Sequence, residues 1–295
     1  MSDYFKNITI VGMGLMGGSL GKFLVSQNKE ITVTALVRRD NAIDHVLSHK
    51  AAHKCTTDIN DGIKDADLVI ISTPVEIICE YGKRILPYLK RNVVVTDMGS
   101  TKDKIVKSMT LAIGEKAVFI GSHPMAGSEK TGLENSYPEL FLNSLCVLTP
   151  LEESPVYLVE KLKLFWENVG CRVMQLPPDI HDYLISSISH VPHIVAAVLV
   201  NFASKIRSDI FSSLDFASSG FRDTTRIASG SPEMWNDICS SNSINIASQL
   251  EIVENMIRKI RNAIQNGDND QVLKFLCESK NIRDLLIKNC EYKNE

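Results

Sequence analysis

The sequence lacks the features that mark a nucleic-acid binder, a membrane protein or a disulfide scaffold. Lys and Arg number 32 against 35 Asp and Glu, a net charge of -3 over 295 residues. That balance leaves no basic footprint for a polyanion or an anionic bilayer surface, and it favours a small-molecule partner. The seven cysteines, Cys55, Cys79, Cys146, Cys171, Cys239, Cys277 and Cys290, are odd in number, scattered and free of any C-x-x-C spacing. Neither a disulfide framework nor a thiolate metal site is indicated, and a reducing cytoplasm fits. The opening Met-Ser-Asp-Tyr-Phe-Lys is too short and polar for a signal peptide. The longest apolar stretch, residues 191–202, contains His193 and falls short of a membrane span. Low-complexity tracts and internal repeats are missing as well. The chain is long enough for two ordinary domains with a substantial core.

What is present begins with residues 7–12, a short apolar strand running directly into Gly12-Met-Gly14-Leu15-Met16-Gly17-Gly18-Ser19. Apolar positions then recur at helical spacing to residue 25. Strand, G-x-G-x-x-G and helix together form a dinucleotide fingerprint. Gly12 makes the tight turn, Gly14 lets the pyrophosphate approach the backbone with Leu15 and Met16 beside it, and Gly17 lets helix and strand pack closely. The helix N-terminus faces the negative charge. A second strand, residues 31–37, ends in Arg38-Arg39. An acid at that place bonds the ribose 2′-hydroxyl of NAD, whereas arginine accommodates the 2′-phosphate of NADP. The pair therefore points to NADP, with NAD the alternative if Asp40 reads the ribose.

Alternation continues through residues 67–72, whose strand ends in Ser72-Thr73-Pro74, and through 92–98, which runs into Asp97-Met-Gly99-Ser100-Thr101-Lys102. Pro74 is placed to begin a helix, and Ser72 and Thr73 should line the cofactor crevice outside the strand ends. Ser100 and Thr101 read equally as helix caps. Residues 117–121 form the strand that delivers Gly121-Ser-His123-Pro124-Met-Ala-Gly127-Ser-Glu129 to the same sheet edge. Because Pro124 has no N–H and pushes its predecessor to an extended conformation, His123 is expected at a strand end, displayed as a general base would be, with Ser100 as a neighbour. Flanking Gly121 and Gly127 leave room for a ligand, and Glu129 adds a carboxylate. Strands at 145–149 and 171–176, with a helix at 156–168 between them, complete this half.

Beyond Pro177-Pro178 the pattern becomes helical, at about 180–206, 232–265 with a break, and 270–290. The expected fold is α/β: a Rossmann-like dinucleotide-binding domain over residues 1–177, followed by an all-helical dimerisation domain over 178–295. His190 and His193, three apart, share one helix face and read equally as core or site residues. The charged run of residues 219–227 reads as a solvated loop. Trp235 reads as core. Apolar positions Ile246, Leu250, Val253, Ile257 and Ile260 fall on one stripe, which suggests a homodimer interface.

Taken together, these motifs resemble the prephenate/arogenate dehydrogenases of tyrosine biosynthesis. The matching residues are the Gly12 to Ser19 turn, Asp97-x-Gly99-Ser100-x-Lys102, His123-Pro124-Met125-Ala126-Gly127-x-Glu129, His181-Asp182, Ser189-His190-x-Pro192-His193, and Gly220-Phe221-Arg222-Asp223-x-Thr225-Arg226-Ile227-Ala228 with Pro232 and Trp235. The resemblance covers nearly the whole chain. It implies that His123 is the general base, Ser100 the hydroxyl orienting it, and Arg226 the clamp on a substrate carboxylate. It further implies that His193 is a pocket histidine, Asp223 the partner of Arg226, Glu129 a guard of site entry, and Trp235 a side chain arriving from the neighbouring subunit. The implied reaction removes a hydride, a proton and carbon dioxide from a cyclohexadienol and needs no metal. His193 tilts the choice of substrate toward prephenate, while Arg38-Arg39 resembles the NADP-using arogenate enzymes. With the sequence ending at Glu295, any inhibition by tyrosine is expected at the active site.

Two other readings remain. A β-hydroxyacid dehydrogenase or imine-reductase-like enzyme should present a catalytic lysine in the helical part, yet none occurs between Lys163 and Lys205. A nicotinamide-binding sensor without catalysis would have no need of His123, Ser100 and Arg226 together.

Overall fold

The computed structural model describes residues 5–27, 30–127 and 130–291. Its first part alternates strictly: β1 (Asn7–Val11), α1 (Leu15–Gln27), β2 (Thr32–Leu36), α2 (Asn41–Ser48), β3 (Lys54–Thr56), α3 (Ile59–Ile63), β4 (Leu68–Ile71), α4 (Val75–Ile85), β5 (Val93–Asp97), α5 (Asp103–Ile113) and β6 (Ala117–Phe119). The six strands form one parallel sheet in the order β3-β2-β1-β4-β5-β6. Central strands β4 and β5 are buried along their whole length, as apolar runs covered by helices on both faces must be. One buried cluster gathers on the α1 side of the sheet and another on the α4 and α5 side. The strand order reverses between β1 and β4, and ligand crevices in doubly wound sheets open at that reversal. Neither β3 nor α3 is foreseen in the sequence, because three-residue and five-residue elements carry no readable period.

A second sheet follows: β7 (Gly121–Met125), β8 (Leu145–Thr149) and β9 (Arg172–Gln175), with α6 (Val156–Val169) between β8 and β9. Here the expectation for His123 is corrected. It lies inside β7, opposite Val147, and Pro124 stands opposite Cys146. Because β7 is an edge strand, the missing Pro124 N–H breaks no inner ladder.

After Pro177, α7 (Pro178–Ile185), a π-helical turn (Ser186–His190) and α8 (Val191–Lys205) run on from one another. By length and hydropathy this 28-residue helix could cross a bilayer, which revises the shorter apolar run seen in the sequence. Yet His181, Asp182, Ser186, His190 and His193 form a buried polar row along it, as in a core helix lining a site. The run expected as a solvated loop is instead α9 (Ser219–Thr225) and a 3-10 turn (Arg226–Ser229). Its charges lie on exposed helix positions, and Thr225 is the buried one. Next comes α10 (Pro232–Ser241), whose Ser231 hydroxyl accepts from the Met234 N–H at 3.3 Å as an N-cap.

The first compact unit runs to Ser243 and the second begins at Ile244. Strands give way to helices at Pro177, but the units divide further on, because α7 and α10 pack on α5 and α4 of the first unit. The second unit consists of α11 (Ser243–Gln265) and α12 (Asn269–Glu291) around a turn at Gly267, φ 67°.

The glycine turn sets the packing at the sheet reversal. Gly12 has φ 91°, and a Cβ on Gly17 would stand 2.1 Å from the Gly12 carbonyl oxygen. Gly17→Ala is therefore expected to lower unfolding free energy by about 1–3 kcal/mol through forced separation of α1 from β1. Urea denaturation measures it, and an unchanged midpoint would contradict this packing.

Candidate active site

A cavity of about 650 Å³ opens at the sheet reversal. Gly14, Leu15 and Met16 line it from the glycine turn, Ser72 from the end of β4, and Met98 and Ser100 from the end of β5. His123, Pro124 and Gly127 line it from β7 and the segment beyond, while Arg226, Ile227, Met234 and Trp235 close it from the helices. An imidazole of the α/β part and a guanidinium of the helical part thus share one chamber beside the glycines. Of the other residues singled out in the sequence, Gly12 and Gly17 shape the turn without lining the cavity. Thr73 and Pro74 lead into α4, while Arg38 and Arg39 are exposed beyond β2. Asp223 is exposed on α9, outside the lining. Glu129 lies outside the described residues.

The place of His123 is fixed by its neighbour Ser122. The Ser122 N–H donates to Asp97 Oδ1 at 3.1 Å, and its hydroxyl lies 2.6 Å from Thr96 Oγ1 and accepts from Trp166 Nε1 at 3.1 Å. Asp97 in turn accepts from the Gly99 N–H at 2.8 Å and pairs with Lys102, both side chains being fully buried. The motif Asp97-x-Gly99-x-x-Lys102 is therefore a buried clasp that ties the end of β5 to β7. Burial outweighs Lys102 and raises the Asp97 pKa.

The partner of His123 is not the expected one. His123 Nδ1 lies 2.9 Å from His181 Nε2, and His181 Nδ1 lies 2.8 Å from Asp182 Oδ1. His181 meets the imidazole at Nδ1, while Ser100, the hydroxyl that the resemblance implied as its partner, lines the cavity with it. Asp182 also accepts the N–H groups of Lys102 at 2.7 Å and Asp103 at 3.0 Å, at the start of α5. The sequence motif His181-Asp182 carried no task of its own. An adjacent His-Asp pair opening a helix is a signal, but its target 58 residues earlier cannot be read from spacing. Burial, then the charges of His181, Lys102 and His190, holds the His123 pKa well below its ordinary value. The ring is thus neutral at physiological pH, as a proton acceptor must be.

His193 stacks on Trp235 at 3.5 Å between centroids and 13° between planes. Trp235 lines the cavity of its own chain, where the resemblance implied a side chain arriving from the neighbouring subunit. His190 is buried behind them, with Nδ1 accepting from Asn242 Nδ2 at 3.1 Å, and burial drives its pKa down to about 4.

The glycine turn also fits a dinucleotide. A Cβ on Gly14 would meet nothing within 4 Å, so the backbone there is open to a pyrophosphate, whereas a Cβ on Gly12 would stand 2.7 Å from the Ser72 carbonyl oxygen. The 13-residue α1 begins at Leu15 and turns its N-terminus toward this space.

Comparison with known proteins identifies relatives of the chain over both of its halves. The family described as prephenate dehydrogenase, nucleotide-binding domain, matches residues 20–175, and prephenate dehydrogenase, dimerization domain, matches 177–278. Prephenate dehydrogenase of Bacillus subtilis is 32% identical over 96% of this chain and 77% of its own. The crystal structure of prephenate dehydrogenase from A. aeolicus with hydroxyphenyl propionate and NAD+ superposes with a TM-score of 0.88 at 31% identity, covering 94% of this chain and 97% of that one. That of Synechocystis arogenate dehydrogenase gives 0.83 at 26%, covering 94% and 99%.

The buried imidazoles make stability depend on pH. Burial is the leading cause of lowered pKa in His123, His181, His190 and His193 alike. The unfolded chain therefore binds protons that the folded state refuses. Stability is fullest above the unfolded histidine value of about 6.5 and falls as the pH drops below it, the His190 contribution continuing to fall to about 4. Urea unfolding at pH 5 against pH 7.5 should show a loss on the order of 1–3 kcal/mol. Equal stability at the two pH values would contradict the neutral, buried row.

Proposed function

The chain belongs to the prephenate dehydrogenase family, and from that premise we propose how its residues perform the reaction. The protein is an NAD(P)-dependent dehydrogenase that oxidatively decarboxylates prephenate, arogenate or both in tyrosine biosynthesis. The observation that carries the assignment of roles is the shared cavity of His123 and Arg226 beside the glycine turn.

Held at Nδ1 by His181, the His123 ring turns its other nitrogen to the cavity and takes the hydroxyl proton as the ring carbon becomes a carbonyl. Bound at the glycine turn, NAD(P)+ supplies the acceptor for the hydride of that carbon. Loss of carbon dioxide then sends the bonding pair through the ring to the oxygen, which recovers a proton as the aromatic alcohol. Arg226 holds a substrate carboxylate in planar, two-point fashion. Ser100 lines the same cavity to bond the reacting hydroxyl, and Trp235, backed by the buried His193 stacked on it, offers a flat face to the ring. Glu129, as a guard of site entry, and Asp223, as the partner of Arg226, keep the parts that the family resemblance implies.

Prephenate is the preferred substrate in this reading, supported by His193. NADP is the preferred cofactor: Asp40, the acid near the end of β2, is engaged by the Thr57 hydroxyl at 2.7 Å, while Arg38 and Arg39 stand exposed beside it. Residues 1–177 serve the dinucleotide and 178–295 the substrate and a homodimer contact. Exposed Tyr183, Leu184, Ile188, Val198 and Phe202 on the long helix support that contact. The free cysteines among the described residues suit the cytoplasm.

Purified protein with prephenate or arogenate and NAD+ or NADP+, in four combinations, should reduce nicotinamide fastest with prephenate and NADP+. No reduction in any combination would overturn the function, and a different fastest pair would correct the preference. His123→Asn should cut kcat by ~100- to 10,000-fold with cofactor affinity unchanged. Equal loss of cofactor binding would remove His123 from the base role. Arg226→Ala should raise the substrate KM more than it lowers kcat, and an unaltered KM would exclude the clamp.

A further inference from the structure

We propose that His181, held by Asp182, is a positioning residue that fixes the tautomer of His123 and so leaves the His123 Nε2 lone pair facing the cavity. The inference rests on the reading of His123 as the base. It begins at Asp182, whose two carboxylate oxygens each accept a backbone N–H at the start of α5, from Lys102 at 2.7 Å and Asp103 at 3.0 Å. A carboxylate so engaged can only accept from a third partner, so His181 Nδ1, 2.8 Å from Oδ1, carries a proton and donates it. A neutral His181 then has a bare Nε2. That nitrogen lies 2.9 Å from His123 Nδ1, which must therefore be the donor. His123 Nε2 is left without a proton, as a group that accepts one from a hydroxyl must be.

The chain of three groups is rigid. His181 is fully buried and Asp182 is 1% exposed, and the two imidazoles meet nearly edge to face at 68°. The charged and titratable groups facing them are Lys102, Asp97 and His190, and each has another partner: Lys102 pairs with Asp97, and His190 takes its hydrogen bond from Asn242. Neither Lys102 nor His190 competes for His181 Nε2. When His123 gains a proton, its Nδ1–H remains donated to His181, and the new charge faces the Asp182 carboxylate through one imidazole.

His181→Leu and His181→Gln test the assignment in the full-length protein. Leucine removes the acceptor, whereas the glutamine amide oxygen can still take the Nδ1–H. His181→Leu is expected to lower kcat by ~100-fold or more, with substrate KM and NADP+ affinity within about twofold, and His181→Gln to recover ~10-fold or more of that loss. A leucine variant within about threefold of wild-type kcat, or a folded glutamine variant as impaired as leucine, would overturn the proposal. Should neither variant fold, nitrogen-15 histidine NMR of the wild type reads the tautomer directly, with His123 assigned by its loss in His123→Asn. A neutral Nδ1–H ring is the expected result, and an Nε2–H ring would overturn the proposal. A wild-type protein that turned over neither substrate would defeat the function instead, and the tautomer would still be readable.

Discussion

The Asp182 carboxylate, buried at the start of the helical part, joins the pieces on which the site depends. Through two backbone N–H groups it holds the first turn of α5, and through His181 it reaches the imidazole on β7. Burying a carboxylate is costly unless its lone pairs are occupied, and here the α5 N-terminus supplies both donors and a favourable dipole. Without this contact, α7 would lose its buried hydrogen bonds to α5, and the chain of hydrogen bonds to the His123 ring would lose its anchor. The clasp of Asp97 and Lys102 does the corresponding work on the sheet side, locking β5 to Ser122 and thus to His123. Two buried acids set one base from opposite directions.

Much of this was readable in the sequence, and the parts that were not share a physical cause. The glycine turn was legible because each glycine answers a local demand: a positive φ at Gly12, open space at Gly14 and close packing at Gly17. The parallel strands were legible because sheets covered on both faces require unbroken apolar runs. Pro124 misled, since a proline looks like a strand terminator until the strand is known to be an edge, and edges are a property of the whole sheet. Residues 219–227 misled because a short amphipathic helix with several charges has too few apolar positions to show its period. His193 and Arg226 were legible only as members of motifs. The link from His181 to His123 joins α7 to β7 across 58 residues of chain and exists only after folding.

The long helix from α7 through α8 carries two faces of opposite character. One presents the buried row of His181, Asp182, Ser186, His190 and His193, and the other exposes Tyr183, Leu184, Ile188, Val198 and Phe202. The π-helical turn at Ser186–His190 lies between His181 and His193; an extra residue in a turn rotates the helix beyond it, and such turns recur at functional sites. It allows one helix to hold the tautomer-setting histidine with its first turns and the ring-stacking histidine with its later ones. The high hydropathy of this segment comes from both its core-facing residues and this exposed apolar face.

The central claim is that the His123 Nε2 lone pair and the Arg226 guanidinium act on one molecule across the glycine-turn cavity. A crystal structure of the protein with NADP+ and a product analogue bearing a phenol and a carboxylate tests it most directly. The account predicts the phenol oxygen within about 3 Å of His123 Nε2 and the carboxylate on Arg226. An analogue bound with neither group on those residues, or seated outside this cavity, would contradict it.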